Sequence, residues 1–127
     1  MFKSAPYYLA VSKNSFEITD LISGEKTYKV AEKPFSTQRL LVGDFAAAEA
    51  SLGALLKQIK APPFRALIVH PLEMNEGGLS IVEKRVLTEM ALGAGASTVV
   101  IHEGARLSKE ESLSLIKNNA KSTQRAG

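Results

Sequence analysis

The segment spanning residues 65–103 constrains the fold of this chain more than any other. It holds two short, continuous apolar runs, at residues 66–69 and 98–101, with an amphipathic segment between them. Continuous apolar runs of this length are typical of strands buried on both faces. Strand, helix and strand with short connections predict a βαβ unit, in which the strands are parallel and the crossover is right-handed. We therefore expect a covered parallel sheet as the core.

The helix of this unit has recognisable ends in the sequence. Ser80 followed by Glu83 is the pattern of a capping box, and Gly93 is expected just after the last turn. The helical stripe predicted to face the sheet consists of Val82, Val86, Leu87, Met90 and Ala91. The residues expected to be almost fully buried are Leu67, Val69, Val86, Met90, Val99 and Ile101.

The N-terminal third has the pattern of three strands. Residues 7–11 are apolar throughout, which favours a central strand, whereas residues 15–21 alternate between apolar and polar. A third strand is predicted at residues 25–31, and the short turns between the three favour an antiparallel meander. Residues 39–43 are ambiguous between an extended run and a loop.

Two further helices complete the chain. Asp44 is predicted to cap the first, which Pro62 and Pro63 end. Its expected buried stripe is Phe45, Ala48, Leu52, Leu55, Leu56 and Ile59. Ser108 with Glu111 predicts a second capping box at the start of a last helix. The element order is therefore β-β-β-α-β-α-β-α.

This order predicts an α/β fold with a five-stranded mixed sheet in spatial order 3-2-1-4-5 and helices on both faces. A chain of 127 residues that is 45% hydrophobic is expected to form one domain. We place that domain at residues 1–118 and predict a flexible, basic C-terminal tail at residues 119–127.

Composition narrows the classes of function. The chain has no cysteine, which excludes disulfides and cysteine-ligated zinc and fits a cytoplasmic protein. It lacks an apolar run of the roughly 20 residues that a membrane helix needs, and residues 1–6 do not have the apolar h-region expected of a signal peptide. The net charge of +3 is not organised into a basic patch interleaved with aromatic residues, so nucleic-acid binding is not expected.

The carboxyl ends of the two apolar strands carry the residues with chemical potential. His70 follows one strand, and His102 with Glu103 follows the other, where ligands bind in open α/β sheets. With Glu73 or Glu76 they suggest a metal site, although two histidines without a fixed spacing more often lie in loops. The metal-site hypothesis would be excluded if the side chains of His70 and His102 diverged with no pocket between them. Gly77 and Gly78 suggest an anion-binding site formed by backbone N–H groups, but the capping residue Ser80 competes for the same donors.

Several segments resemble MreB, the bacterial actin that sets rod shape. Residues 41–45 (Leu-Val-Gly-Asp-Phe) and 56–59 (Leu-Lys-Gln-Ile) resemble its Val-Ile-Ala-Asp-Phe and Ile-Lys-Gln-Val segments. Residues 82–85 (Val-Glu-Lys-Arg) and 91–96 (Ala-Leu-Gly-Ala-Gly-Ala) are similar to its Val-Glu-Arg-Arg helix and Gly-Ala-Gly-Ala exit. Residues 98–103 are similar to its Val-Phe-Leu-Ile-Glu-Glu strand end. The resemblance implies a ribonuclease-H-like fold, that of the first large MreB subdomain.

The same resemblance implies that ATP hydrolysis is absent. Residues 9–14 stand where the family has an Asp-x-Gly-Thr phosphate loop, and they contain neither an acid nor a glycine. His102 stands where the family has the carboxylate that orients water. Phosphoryl transfer needs a phosphate cradle, a metal ligand and a positioned water. We expect no ATPase activity, no cofactor and no detectable ATP affinity at about 1 mM, which corresponds to about −4 kcal/mol.

The expected function is that of a non-catalytic, truncated MreB-like or actin-like domain, a protein-interaction or structural module linked to the cytoskeletal, cell-shape machinery of a bacterium. The expected interaction edge comprises His70, Leu72, Glu73, Met74, His102 and Glu103. Self-association or partner binding is predicted there or at strand 5, because strand 3 is guarded by Lys26, Lys29 and Glu32. The alternative is a small ligand-binding or metal-binding enzyme that uses His70 and His102.

Overall fold

The structure is a computed structural model and describes residues 4–73 and 77–126, with side chains up to residue 119. The strands and helices are β1 Ala5–Ser12, β2 Ser15–Asp20, β3 Lys26–Val30, α1 Phe45–Gln58, β4 Arg65–Pro71, α2 Ile81–Ala94, β5 Thr98–Ile101 and α3 Lys109–Ala126. The strands form one open sheet in the order β3-β2-β1-β4-β5. β1 is antiparallel to β2 and parallel to β4, β2 is antiparallel to β3, and β4 is parallel to β5. The predicted α/β class, strand order and directions are confirmed.

Helices cover both faces of the sheet, as predicted. Leu9 of β1 and Leu67 of β4 belong to a core shared with Leu52 of α1 and Met90 of α2. On the opposite face, Ile68 and its neighbours pack against α3. Successive strand residues point to opposite faces, so a continuous apolar strand supplies both layers.

The three predicted helix starts are confirmed by hydrogen bonds. The Asp44 carboxylate accepts from the N–H of Ala47 at 3.0 Å. Ser80 and Glu83 bond each other's backbone reciprocally, at 2.9 and 3.1 Å. Ser108 and Glu111 do the same at 2.8 and 3.1 Å. Each cap satisfies N–H groups that a helix leaves unpaired, and each stabilises its helix by about 1 kcal/mol.

The predicted face and end of α2 need correction. Val82 is 71% exposed, because nine residues advance a helix by two and a half turns and place Val82 opposite the buried Ala91. Gly93 lies inside α2, and Gly95, with φ of 118°, is the left-handed residue that ends it. In α1, Phe45 is exposed and Ile59 is only half-buried, although the rest of the predicted stripe is buried.

The predicted core included two β5 residues that are not fully buried. Leu67, Val69 and Met90 are fully buried as expected. Val99 and Ile101 are half-buried, since β5 is an edge strand that pairs only with β4. Val86 is half-buried as well.

Residues 39–43 form bends and irregular backbone, which resolves that ambiguity in favour of a loop. The backbone of α3 remains helical to Ala126, through most of the segment predicted as a tail, whose flexibility stays a prediction. Within the described residues, no helix combines the length and the apolar character needed to cross a membrane.

Candidate functional site

The predicted site residues lie together at the carboxyl ends of β4 and β5. We call this surface the carboxyl edge and define it by His70, Leu72, Glu73, His102 and Glu103. Met74 and Glu76 lie outside the described residues. The two histidine rings converge, with their centroids 4.8 Å apart and their planes at 66°. This proximity follows from the parallel pairing of β4 and β5, which brings both strand ends to one side of the sheet.

His70 is the centre of a buried chain of hydrogen bonds. Its side chain is 2% exposed, and its Nε2 lies 2.8 Å from the carbonyl oxygen of Gly104. Because a carbonyl only accepts, Nε2 carries the proton and donates. Nδ1 then accepts from the hydroxyl of Tyr8 at 2.6 Å. The same hydroxyl oxygen accepts from the N–H of Leu107 at 3.2 Å. The chain of bonds therefore joins β1, β4 and the loop that precedes α3.

The surroundings favour the neutral form of His70 by lowering its pKa. Burial lowers its pKa below the ordinary value of 6.5, and the nearby His102 and Arg106 lower it further. The hydrogen bond to the Gly104 carbonyl acts in the opposite direction. Burial also raises the pKa of the Tyr8 hydroxyl, so this group keeps its proton and remains a donor to His70.

His102 also stabilises its own loop. Its Nε2 donates to the carbonyl oxygen of Ala105 at 2.7 Å. Both nitrogens of His70 are bonded, whereas Nδ1 of His102 has no hydrogen bond to the described residues. Among residues 4–73 and 77–126, no group of three or more His, Cys, Asp or Glu side chains is arranged to hold a metal ion.

The two carboxylates of the carboxyl edge bind backbone donors of this chain. Glu73 Oε2 accepts from the N–H of Lys13, in the turn between β1 and β2, at 2.7 Å. Glu103 Oε1 accepts from the N–H of Leu79, just before α2, at 2.7 Å. Glu103 Oε2 also lies 3.2 Å from Nζ of Lys84, and these contacts lower the Glu103 pKa.

Of the two glycines before α2, Gly78 lies beside a carboxylate of the chain itself, whereas the space next to Gly77 is open. A side chain at Gly78 would come within 3.4 Å of Glu103 Oε1. The next donors serve the Ser80–Glu83 capping box. The sequence indicated the competition from Ser80 but missed Glu103, which lies 24 residues from Leu79 along the chain.

An open cleft of about 470 Å³ borders these residues. Leu72, which is 40% exposed, and Arg106 both line it. Arg106 forms an ion pair with Glu17 at 3.3 Å and lies 5.8 Å from the centre of the Tyr8 ring. Neither Arg106 nor Tyr8 was predicted for this site, because both lie far from His70 in the sequence and share no motif with it.

Comparison with known proteins shows similarity to an Escherichia coli protein. Over 96 residues the chain is 38% identical to the uncharacterized protein YjaA of Escherichia coli (strain K12). The match covers 68% of this chain and 74% of YjaA. No family model matches the chain.

Proposed function

The chain belongs to the family of YjaA, and we propose that it is a non-catalytic protein-interaction module that docks through the carboxyl edge. The observation that carries this proposal is that two backbone N–H groups beside the edge are already bonded within the chain. The N–H of Lys13 donates to Glu73, and the N–H of Leu79 donates to Glu103. An enzyme of this architecture would keep such donors available for substrate.

The occupied donors oppose nucleotide binding in particular. A phosphate approaching the turn between β1 and β2 would meet the Glu73 carboxylate, and one approaching the start of α2 would meet Glu103. Two negative groups within a few ångström repel each other unless a cation lies between them. In addition, residues 9–14 contain neither the acid nor the glycine of a phosphate loop.

The resemblance to MreB supports a role for the proposed module in the bacterial cytoskeleton. The strand order and the alternation of elements are those expected of a ribonuclease-H-like or actin-like subdomain. We propose that the chain has this fold and acts in the cytoplasm on the cell-shape machinery, with MreB filaments as the first partner to examine.

Leu72 is the apolar contact proposed for the partner. It is exposed and lines the cleft together with the charged residues Glu103 and Arg106, and Glu73 follows it in the chain. An apolar side chain with a charged rim is a common arrangement for protein recognition.

Two variants test the docking surface. Leu72→Asp places a charge in the proposed contact, and Leu40→Asp is a matched control, since Leu40 is 46% exposed in the loop before α1. In co-sedimentation with purified MreB filaments, the wild type and Leu40→Asp should pellet and Leu72→Asp should stay in the supernatant. Equal pelleting of both variants, or no pelleting of the wild type, would contradict the proposal.

A second candidate function is ligand or metal binding at the two histidines. The convergence of their rings beside a cleft favours it. Zinc titration of the wild type and of His102→Ala, followed by isothermal calorimetry, distinguishes the candidates. The interaction module predicts no saturable zinc binding, whereas a metal site predicts binding that His102→Ala removes.

A further inference from the structure

The outward face of α2 is apolar at its ends and charged at its centre. This face, which we call the α2 stripe, consists of Ile81, Val82, Arg85, Glu89 and Leu92. Ile81 is 85% exposed and Leu92 is 43% exposed. The opposite side of the helix, with Leu87, Met90 and Ala91, packs on the sheet and leaves the stripe without a covering element in the described chain.

The stripe is self-complementary when two copies meet in opposite directions. With the centre of the contact at the level of residue 87, Val82 of one copy faces Leu92 of the other. Arg85 then faces Glu89, and the same two pairs recur on the other side of the two-fold axis. Neither Arg85 nor Glu89 forms an ion pair with the described residues of its own chain.

We propose that the chain forms a two-fold symmetric dimer through antiparallel packing of α2 on α2. An isologous contact requires that one surface patch complement itself, and the stripe supplies two apolar and two charge pairs on this pattern. A partner of uniform charge would leave either Arg85 or Glu89 against a like charge. A second copy leaves neither in that position.

Neighbouring residues support this packing. Phe45, Val82 and Val86 line a groove between α1 and α2, so an incoming side chain finds an apolar floor.

The contact is small. A helix of 14 residues is about 21 Å long and about 10 Å wide, a footprint below that of standard stable interfaces. We therefore expect the dimer to dissociate on dilution, and its formation to be visible as a concentration-dependent mass in sedimentation equilibrium.

Charge reversal tests the pairing. Arg85→Glu and Glu89→Arg each place like charges opposite one another in a homodimer, so each variant alone should dimerise at least tenfold more weakly than the wild type. An equimolar mixture of the two restores opposite charges at both positions and should associate again. Lys26→Glu is the control. It lies on β3, the edge strand farthest from β5, and should dimerise as the wild type does.

Cysteine cross-linking tests the register in a chain that has no cysteine of its own. Val82→Cys and Leu92→Cys lie ten residues apart, about 15 Å along the helix, so neither should cross-link efficiently with itself. Their mixture should give a disulfide-linked dimer under mild oxidation. Equal cross-linking in Val82→Cys alone would overturn the antiparallel register.

A strictly monomeric wild type at all concentrations would overturn the proposal, as would a dimer that Arg85→Glu leaves intact. The α2 dimer joins two copies of the proposed module through a surface other than the carboxyl edge. Leu72→Asp should retain the α2 dimer, and Arg85→Glu should retain pelleting with MreB, so each proposal fails independently.

Discussion

Replacing Tyr8 by phenylalanine removes one hydroxyl from the centre of the carboxyl edge. The ring stays, so the packing of β1 against α3 is retained. Nδ1 of the buried His70 loses its donor, and the N–H of Leu107 loses its acceptor. Leaving a buried polar group unsatisfied costs about 1–3 kcal/mol, and the Leu107 amide is only partly buried. We therefore expect Tyr8→Phe to lower the free energy of unfolding by about 2–4 kcal/mol.

Urea denaturation followed by circular dichroism measures this loss, at a protein concentration low enough to favour the monomer. Tyr28→Phe is the matched control, because Tyr28 is 64% exposed and makes no hydrogen bond through its hydroxyl to the described residues. The control should change the unfolding free energy by less than about 0.5 kcal/mol. A loss below that value for Tyr8→Phe would refute the argument that the bond to His70 holds the edge together.

The same network predicts a pH dependence with a definite sign. The pKa of His70 is lowered in the folded protein, so the unfolded chain takes up a proton at higher pH than the folded chain does. The stabilising effect is therefore present above pH 6.5 and is lost as pH falls through the folded pKa. The pKa values of Glu103 and Glu111 are also lowered, from 4.5, so their effects appear at more acidic pH. Stability that stays constant between about pH 6.5 and 5 would contradict the assignment.

Three further predictions concern the core, a cap and the nucleotide. Leu67→Ala should lower the unfolding free energy by about 2–5 kcal/mol, and Val99→Ala by less than half of that, since Leu67 is fully buried and Val99 only half-buried; urea denaturation of both variants checks the ratio. Ser80→Ala should cost about 1 kcal/mol in the same assay by removing the cap of α2. Isothermal titration with ATP and magnesium should show no saturable binding at about 1 mM.

The features of the fold that could be predicted are mainly those determined by residues close together in the sequence. The capping residues Asp44, Ser80 and Ser108 are visible within four residues of sequence, and the structure confirms all three. The strand order followed from a meander joined to a βαβ unit, which leaves few arrangements for a right-handed crossover. The burial of Val99 was overestimated because an apolar run of four residues has the same pattern at the edge of a sheet as at its centre.

The chemistry of the site could be predicted only in outline. The positions of His70 and His102 at strand ends brought them to one edge, but their roles depend on residues far away in the chain. Tyr8 lies 62 residues from His70, and Lys13 lies 60 residues from Glu73. No spacing in the sequence indicates such contacts, because the sheet brings them together only after β1 has paired with β4.

These distant contacts explain why the proposed function lies on exposed surfaces rather than in a catalytic pocket. At the carboxyl edge, the donors and acceptors of His70, Glu73 and Glu103 are bonded to the chain itself. A substrate would have to displace these bonds, each of which already satisfies a polar group near the end of a strand or the start of a helix. The exposed apolar side chains of Leu72 and of the α2 stripe take no part in such bonds, and association would bury them. Binding of a protein partner would therefore gain the favourable free energy of burying that surface. A small substrate would gain little from the polar groups of the edge, because it would have to exchange existing hydrogen bonds for new ones.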